Sequence, residues 1–190
     1  MKKTRRYYEN IYRTDSLTNR VIIDVSMDRY LDYFHQWDNS IIRKRDLHPD
    51  LAGFFDSCSH EIPLSRRLKI VFTIKKIEED PKKEANITSS YYHYYHSNLQ
   101  FVEHDIFKKV RLAVIVAVIA AAFISMHYMI KNPINNIYIS RIIEDGILIG
   151  GWVFMWEAFH IIAFQMLEPL RRRRELKRFL DAVLTFDTCG

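Results

Sequence analysis

One apolar run constrains this chain more than any other segment. It covers residues 147–167, ILIGGWVFMWEAFHIIAFQML, and contains Glu157 and His160. A bilayer core of ~30 Å needs ~20 apolar residues in a helix that rises ~1.5 Å per residue. The run therefore predicts a transmembrane helix over 147–167. A charge at the bilayer centre costs roughly 2.5 to 3.5 kcal/mol, so Glu157 is expected to face protein or water and not lipid.

A second apolar run precedes it at residues 112–130, LAVIVAVIAAAFISMHYMI, without Asp, Glu, Lys or Arg. It predicts a first transmembrane helix over 111–130, followed by a polar outer loop over 131–146 that turns the chain back. Small side chains repeat at intervals of four in this helix, at Ala113, Ala117, Ala121 and Ser125. Such a stripe lets another helix approach closely, so the two runs predict a membrane α-helical hairpin.

Basic residues flank this hairpin unequally. Lys131 and Arg141 lie between the runs, whereas the flanks carry Lys108, Lys109, Arg111, Arg171, Arg172, Arg173, Arg174, Lys177 and Arg178. By the positive-inside rule both termini are cytoplasmic, which predicts a multi-pass protein of the inner (plasma) membrane. The first apolar run begins near residue 112, which is too late for a cleaved secretory signal.

Residues 1–83 predict a small N-terminal α/β cytoplasmic domain. Strands are predicted at 21–26 and 68–77, and helices at 28–37 and 51–59. This order is typical of a βαβ-like crossover between parallel strands. Two strands do not form a stable sheet alone, so a third is expected from the N-terminal arm or from a neighbouring subunit. The second possibility predicts a homo-oligomer.

Two helical segments are predicted to link this domain to the membrane. Residues 84–110 keep a helical period up to the first apolar run, which predicts a long connecting helix that enters the membrane and can transmit movement. Residues 168–190 carry apolar side chains at helical offsets beside the arginine run. They predict a basic amphipathic C-terminal cytoplasmic helix, lying on the headgroups or packed under the soluble domain.

A helical wheel of the second run gathers small, ionisable and aromatic residues on one face. At ~100° per residue the face contains Gly146, Gly150, Val153, Glu157, His160 and Phe164. If subunits assemble about an axis normal to the membrane, copies of Glu157 form a ring that favours cations. In the alternative, a protonated Glu157 is hydrogen-bonded to a neighbouring helix and only holds helices together. Both interpretations predict a face hidden from lipid.

Basic residues at three places predict contacts with lipid or nucleic acid. Cationic side chains neutralise phosphates and aromatic ones stack on bases, so a nucleotide or single-stranded oligonucleotide is one predicted ligand. The alternatives are a solvated N-terminus and, for the last group, a topology and lipid anchor. The residues are Lys2, Lys3, Arg5, Arg6 and Arg13, then Arg43, Lys44 and Arg45, and finally Arg171, Arg172, Arg173 and Arg174.

No sequence motif points to an enzyme, a cofactor or a metal site. The chain lacks a Gly-rich phosphate loop, paired cysteines, a nucleophile elbow and an intramembrane His-Glu-x-x-His pattern. Cys58 and Cys189 match no metal or redox spacing. The pairs Asp24 with Asp28 and His93 with His96 are interpreted as structural. The prediction is therefore a protein that is not an enzyme and has no cofactor.

In overall plan, a cytoplasmic module that feeds a two-helix hairpin resembles the small two-span membrane effectors of bacterial phage defence, of the SLATT and Hailong types. The resemblance implies a growth-arresting pore that a nucleotide or oligonucleotide opens or closes. It also implies a homo-oligomer, with a tetramer favoured by analogy, and a companion regulatory protein. No site residue is transferred from it. The sequence thus leads to two hypotheses, a regulated homo-oligomeric pore and a membrane-anchored binding or scaffolding module.

Overall fold

The computed structural model describes residues 8–34, 47–74, 80–129 and 137–188. These residues form two compact units. The α/β unit comprises the chain up to Gln100 and again from Arg173, and the helical unit comprises residues 101–172. The elements are β1 (Val21–Met27), a 3₁₀ helix (Tyr30–Tyr33), α1 (Pro49–Glu61), β2 (Leu68–Ile74), α2 (Pro81–Met129), α3 (Ile137–His160), a π-helical segment (Ile161–Gln165), α4 (Leu167–Leu180) and β3 (Val183–Thr188).

A three-stranded parallel sheet in the order β1-β2-β3 is the framework of the α/β unit. The central strand is β2, in which Leu68 pairs with Val21 of β1 and Lys69 pairs with Val183 of β3. Its side chains are buried almost continuously, as is typical of a strand covered on both faces. The predicted parallel pairing of the first two strands is confirmed.

The third strand comes from the C-terminal end of the chain. The amphipathic helix predicted over 168–190 ends at Leu180, and Val183–Thr188 pair with β2. The expectation that the N-terminal arm or a neighbouring subunit supplies this strand is wrong. Short apolar runs fit a strand as well as a helix, and here the tertiary contact decides. Phe186 stacks on Phe72 of β2, with ring centroids 5.4 Å apart.

The short elements between β1 and β2 follow the sequence only in part. The helix predicted over 51–59 is confirmed as α1. Pro49 is its first residue, and the side chain of His48 caps its N-terminus by accepting a hydrogen bond from the Asp50 N–H. The helix predicted over 28–37 is wrong, because Tyr30–Tyr33 form a 3₁₀ helix and Phe34 forms a β-bridge with Leu47. Residues 35–46, and the predicted extension of β2 to residue 77, lie outside the described residues.

An aromatic core joins the sheet to α1, α2 and α4. Phe55 of α1 contacts the rings of Phe72, Tyr91 and Phe179, with centroids 5.9 to 6.5 Å apart. Tyr95 stacks on Phe179 at 4.8 Å. Tyr91 and Tyr95, which belong to the tyrosine-rich stretch YYHYYH at residues 91–96, therefore serve the core of their own chain. Burial raises the pKa of Tyr91 and Tyr95 well above their usual range, so both hydroxyls stay protonated.

One buried cation fixes α4 to the C-terminal end of α1. The guanidinium of Arg178 donates to the backbone carbonyls of Ile62 (2.9 Å), Pro63 (3.0 Å) and Ser59 (3.1 Å), and to the Ser59 hydroxyl (2.7 Å). The last carbonyls of a helix have no partner within it, so this side chain satisfies groups that burial would otherwise leave unpaired. Burial lowers the pKa of Arg178.

The helical unit contains the apolar parts of two long helices. The predicted long helix is confirmed, since α2 is continuous from Pro81 to Met129. The predicted outer loop over 131–146 is wrong from residue 137 onwards, because α3 begins at Ile137. The helical apolar pattern extends upstream of the run at 147–167 through isoleucines at 137, 139, 142 and 143. Both helices are long and apolar enough to cross a membrane.

Candidate functional site

The two apolar helices meet along small residues. Ala113 and Ala120 of α2 and Ala158 of α3 are buried, and Gly151 is the point of closest approach. A methyl group added to Gly151 would lie 2.8 Å from Cγ1 of Ile124 and 3.4 Å from the carbonyl oxygen of Ala120. The absence of a side chain at Gly151 therefore permits backbone contact between the helices.

The contacts run in antiparallel order with a seven-residue repeat. His127 Nδ1 lies 3.0 Å from the carbonyl oxygen of Glu144, and the rings of Phe123 and Phe154 are 5.5 Å apart. The His127 and Glu144 pair and the Ala120 and Gly151 contact are seven residues apart on each helix, and their numbers rise on one helix as they fall on the other. A repeat of seven is typical of helices that cross at a shallow angle.

The predicted stripe of small residues is only half correct. Ala113 is buried and Ala117 is half-buried, but Ala121 and Ser125 are exposed. Each step of four residues advances a helix by about 400°, so the stripe rotates by about 40° per step and leaves the interface after two steps. The chain instead alternates steps of three and four, through Ala120 and Ile124.

The predicted face of the second run is mostly uncovered in the single chain. Gly150 meets the other helix, where an added methyl group would lie 3.3 Å from the Phe123 ring. Gly146 has open space beside it, and Val153 and Phe164 are about 60% exposed. Gly151, which the wheel leaves off this face, makes the tighter contact. The face is therefore offset from the surface that packs on α2.

A ladder of polar groups lies on this uncovered surface. Glu157 Oε2 is 3.9 Å from His160 Nδ1, and the same nitrogen is 3.5 Å from Gln165 Nε2. The Glu157 and His160 side chains are 52% and 44% exposed. The large side chains of Trp152, Trp156, Phe159 and Ile162 on the same stretch are exposed too. An acid, an imidazole and an amide thus lie beside the exposed apolar side chains of Val153 and Phe164 on the same face.

Sequence reasoning missed Gln165, and a π-helical segment explains why. In a regular helix, side chains separated by three or four residues lie next to each other. His160 and Gln165 are separated by five residues. Residues Ile161–Gln165 form a π-helical turn, which widens the helix by one residue. Pro169 supplies the physical cause, because it has no N–H for the carbonyl four residues earlier and its ring collides with that group. Pro169 was the available signal in the sequence.

The predicted basic ligand-binding residues are not brought together by the described structure. Lys2, Lys3, Arg5, Arg6, Arg43, Lys44 and Arg45 lie outside the described residues. Arg13 is exposed and its Nη2 is 2.8 Å from Asp24 Oδ1. Arg171 and Arg174 are exposed, and Arg172 and Arg173 are half-buried. Of the predicted set, Arg172 alone lines a described pocket.

A pocket of about 510 Å³ lies at the end of β1 in the α/β unit. Pockets at the carboxyl ends of parallel strands commonly bind ligands. The acidic lining disfavours binding of the predicted nucleotide in this pocket, because its carboxylates repel phosphate groups. Among the described residues no three His, Cys, Asp or Glu side chains are grouped to hold a metal ion. The ionisable residues of the lining are Asp24, Asp28, Asp32, His48 and Asp50.

Two features of the structure thus bear on function, the apolar helix pair and the polar ladder that it leaves uncovered. Both lie within residues 101–172. No protein-family model, curated protein or solved structure matches the chain.

Proposed function

We propose that the chain is a two-span membrane protein whose copies assemble around the second helix to form an ion-conducting pore. The observation that carries the proposal is the ladder of Glu157, His160 and Gln165 on an otherwise apolar and uncovered helix surface. The α/β unit is the proposed regulatory module. A nucleotide or oligonucleotide ligand, a companion protein and a role in phage defence remain predictions from the sequence.

Exposed apolar side chains support a location in the membrane. Both long helices present large hydrophobic groups outward, among them Val114, Val118, Ile149, Trp152 and Ile162. Soluble proteins rarely expose apolar patches of more than a few hundred Å², because such surface is unfavourable in water. A bilayer removes this surface from water without requiring any further packing.

The sheet supports a hairpin with both ends on one side of the membrane. β2 precedes the two apolar helices and β3 follows them, yet the strands pair over six residues from Lys69 to Ile74. Two strands of one sheet lie in the same compartment, so the chain between them crosses a membrane an even number of times. The excess of Lys and Arg on this side makes it the cytoplasm in the proposal.

The polar ladder supports assembly of several copies. A charged carboxylate facing lipid costs roughly 2.5 to 3.5 kcal/mol, and Glu157 is half exposed in the single chain. A ring of copies about an axis normal to the membrane moves the ladder from lipid to a central path, where acidic side chains favour cations. The closed interface between α2 and α3 leaves this surface available, since it uses Gly151 and not Glu157.

Ion flux into vesicles tests the proposal. Purified protein in vesicles is expected to pass cations in preference to anions, and Glu157→Gln is expected to lower that preference because the ring loses its charge. Asp145→Asn is the matched control. Asp145 is an exposed carboxylate of the same helix, about 120° around the axis from Glu157. An unchanged ion preference in Glu157→Gln, or an equal change in the control, would contradict the pore.

A second assay separates the pore from a membrane-anchored scaffold. Replacing the two apolar helices with an unrelated two-span hairpin keeps an anchor and removes the ladder. The pore predicts loss of flux and of any growth arrest in cells. Retention of the cellular effect with the foreign hairpin would support the scaffold instead.

A further inference from the structure

A small notch in the helical unit lies outside the ladder and the packing surface. It has a volume of about 230 Å³ and lies between the stretch of α2 from Phe101 to Lys109 and the beginning of α4. This volume is below the range of about 300 to 1,000 Å³ that drug-sized ligands occupy, so the notch suits a smaller group. Its charged lining residues are Asp105, Lys109, Glu168 and Arg172.

The notch lies at the edge of the apolar surface. Lys109 comes three residues before the first apolar run, and Glu168 directly follows the second. At ~1.5 Å per residue both side chains lie within ~5 Å of the end of the apolar band. A headgroup layer is about 5 to 7 Å thick on each side of the hydrocarbon core. If the helices span a membrane, the notch opens into this layer.

Charges of both signs alternate around the notch. Asp105 Oδ2 and Lys109 Nζ are 3.0 Å apart on one face of α2. Glu168 and Arg172 are separated by four residues along α4. An ammonium group has three donors and a carboxylate has about four acceptor sites, so an ion pair leaves both groups with capacity for a ligand. The apolar floor is formed by Val102 and Pro169.

We propose that this notch binds the headgroup of a zwitterionic phospholipid that carries a primary ammonium, that is, phosphoethanolamine. Lys109 and Arg172 bind its phosphate, and Asp105 and Glu168 accept hydrogen bonds from its ammonium. The inference rests on the proposed membrane location, but not on conduction. The ligand would hold at the headgroup layer the two ends of the hairpin that carry Lys109 and Glu168.

Other lipid headgroups match this lining less well. A glycerol headgroup has a phosphate but no cation, so it leaves two carboxylates beside an anion. A choline headgroup has a cation but no N–H, so it cannot donate hydrogen bonds to Asp105 or Glu168. Only a primary ammonium satisfies both signs of charge with hydrogen bonds.

Lipid retention by the full-length protein tests this inference. The protein is reconstituted in vesicles with equal amounts of phosphatidylethanolamine, phosphatidylcholine and phosphatidylglycerol, extracted in mild detergent, and its bound lipids are counted by native mass spectrometry. Phosphatidylethanolamine is expected to be enriched. Glu168→Gln is expected to lower that enrichment by about threefold, the range of an exposed ion pair. Lys109→Gln is expected to lower retention of all three lipids.

Matched controls and a soluble probe sharpen the test. Glu103→Gln and Lys108→Gln change exposed residues of α2 outside the notch and are expected to keep the wild-type pattern. Glycerophosphoethanolamine, which needs no bilayer, is expected to compete with the retained lipid. Equal retention of the three lipids, or equal effects of the controls, would overturn the inference. Lipid preference without ion flux would overturn the pore alone, and protein found only in the soluble fraction would overturn both.

Discussion

Three glycines of one helix differ entirely in their surroundings. Gly146 has open space beside it, Gly150 faces the edge of the Phe123 ring, and Gly151 touches the α2 backbone. Glycine destabilises a helix by about 0.5 to 1 kcal/mol relative to alanine, so its presence needs a compensating gain. The structure shows such a gain at Gly151, where the lack of a Cβ lets two helices approach. A helical wheel contains no information about the partner helix, so it placed Gly146 and Gly150 on the predicted face and left Gly151 off it.

Gly151→Ala is expected to destabilise the helix pair by about 1 to 3 kcal/mol, the usual cost of overpacking. The added methyl group lies 2.8 Å from Ile124 Cγ1, and a β-branched side chain in a helix has one strongly preferred rotamer. Thermal unfolding of the purified protein in detergent measures the effect. Gly146→Ala is the matched control, with no loss of stability expected. Equal midpoints for the two variants would contradict the assigned close approach.

Among the elements, β3 changes the interpretation of the chain most. It converts a two-stranded crossover, which is not stable alone, into a three-stranded sheet with β2 buried at its centre. Arg178 and the bond from the Tyr91 hydroxyl to the Phe179 carbonyl (3.0 Å) hold α4 beside it. From Arg173 onwards the C-terminal segment is therefore part of the α/β unit.

Phe186→Ala is expected to destabilise the α/β unit by about 2 kcal/mol. The variant loses the stack on Phe72, and an aromatic pair contributes beyond the area that it buries. Hydrogen exchange of the β2 amides in the full-length protein measures the effect, since β2 lies between both partner strands. Asp187→Ala, an exposed change in the same strand, is expected to stay within ±0.5 kcal/mol. Unchanged exchange in Phe186→Ala would show that β3 contributes nothing to the sheet.

The π-helical segment shows how one residue redirects an element. Pro169 favours a wider turn at Ile161–Gln165, and the widened turn places Gln165 beside His160. Without it, a regular helix would carry Gln165 about 140° around the axis from His160. The polar ladder therefore depends on a local irregularity, which is common for π-helical turns at functional sites.

At the scale of the whole molecule, the α/β unit uses both ends of the chain. Its sheet contains strands from before and after the two apolar helices. Such a unit forms only after the chain has been made as far as β3, and it ties the two ends of the proposed hairpin to one fold.

Cysteine labelling tests the proposed topology. In a Cys189→Ser background, with Cys58 buried, a membrane-impermeant maleimide is expected to label Tyr138→Cys in intact cells. Ser57→Cys in α1 and Lys177→Cys in α4 are expected to react only after lysis, because both belong to the α/β unit. Tyr138, Ser57 and Lys177 are all exposed, so burial does not explain a difference. Labelling of Ser57→Cys or Lys177→Cys in intact cells would contradict the topology.

Composition and periodicity determine much of this protein by themselves. The apolar runs predict both long helices, since length and hydropathy are properties of the local sequence. The parallel pairing of β1 and β2 follows from their separation by a helix, because a parallel connection requires a crossover. The ionisable residues Glu157 and His160 are equally visible, since acids and imidazoles are rare in apolar runs.

Only the tertiary structure decides how these parts are used. The sequence of Val183–Thr188 fits a helix equally well, and its pairing with β2 makes it a strand. The roles of Gly150 and Gly151 depend on the angle at which α2 arrives, which no single helix encodes. Local patterns fix the two long apolar helices, whereas long-range packing fixes the third strand and which helix faces meet, because each of these contacts depends on residues distant in sequence.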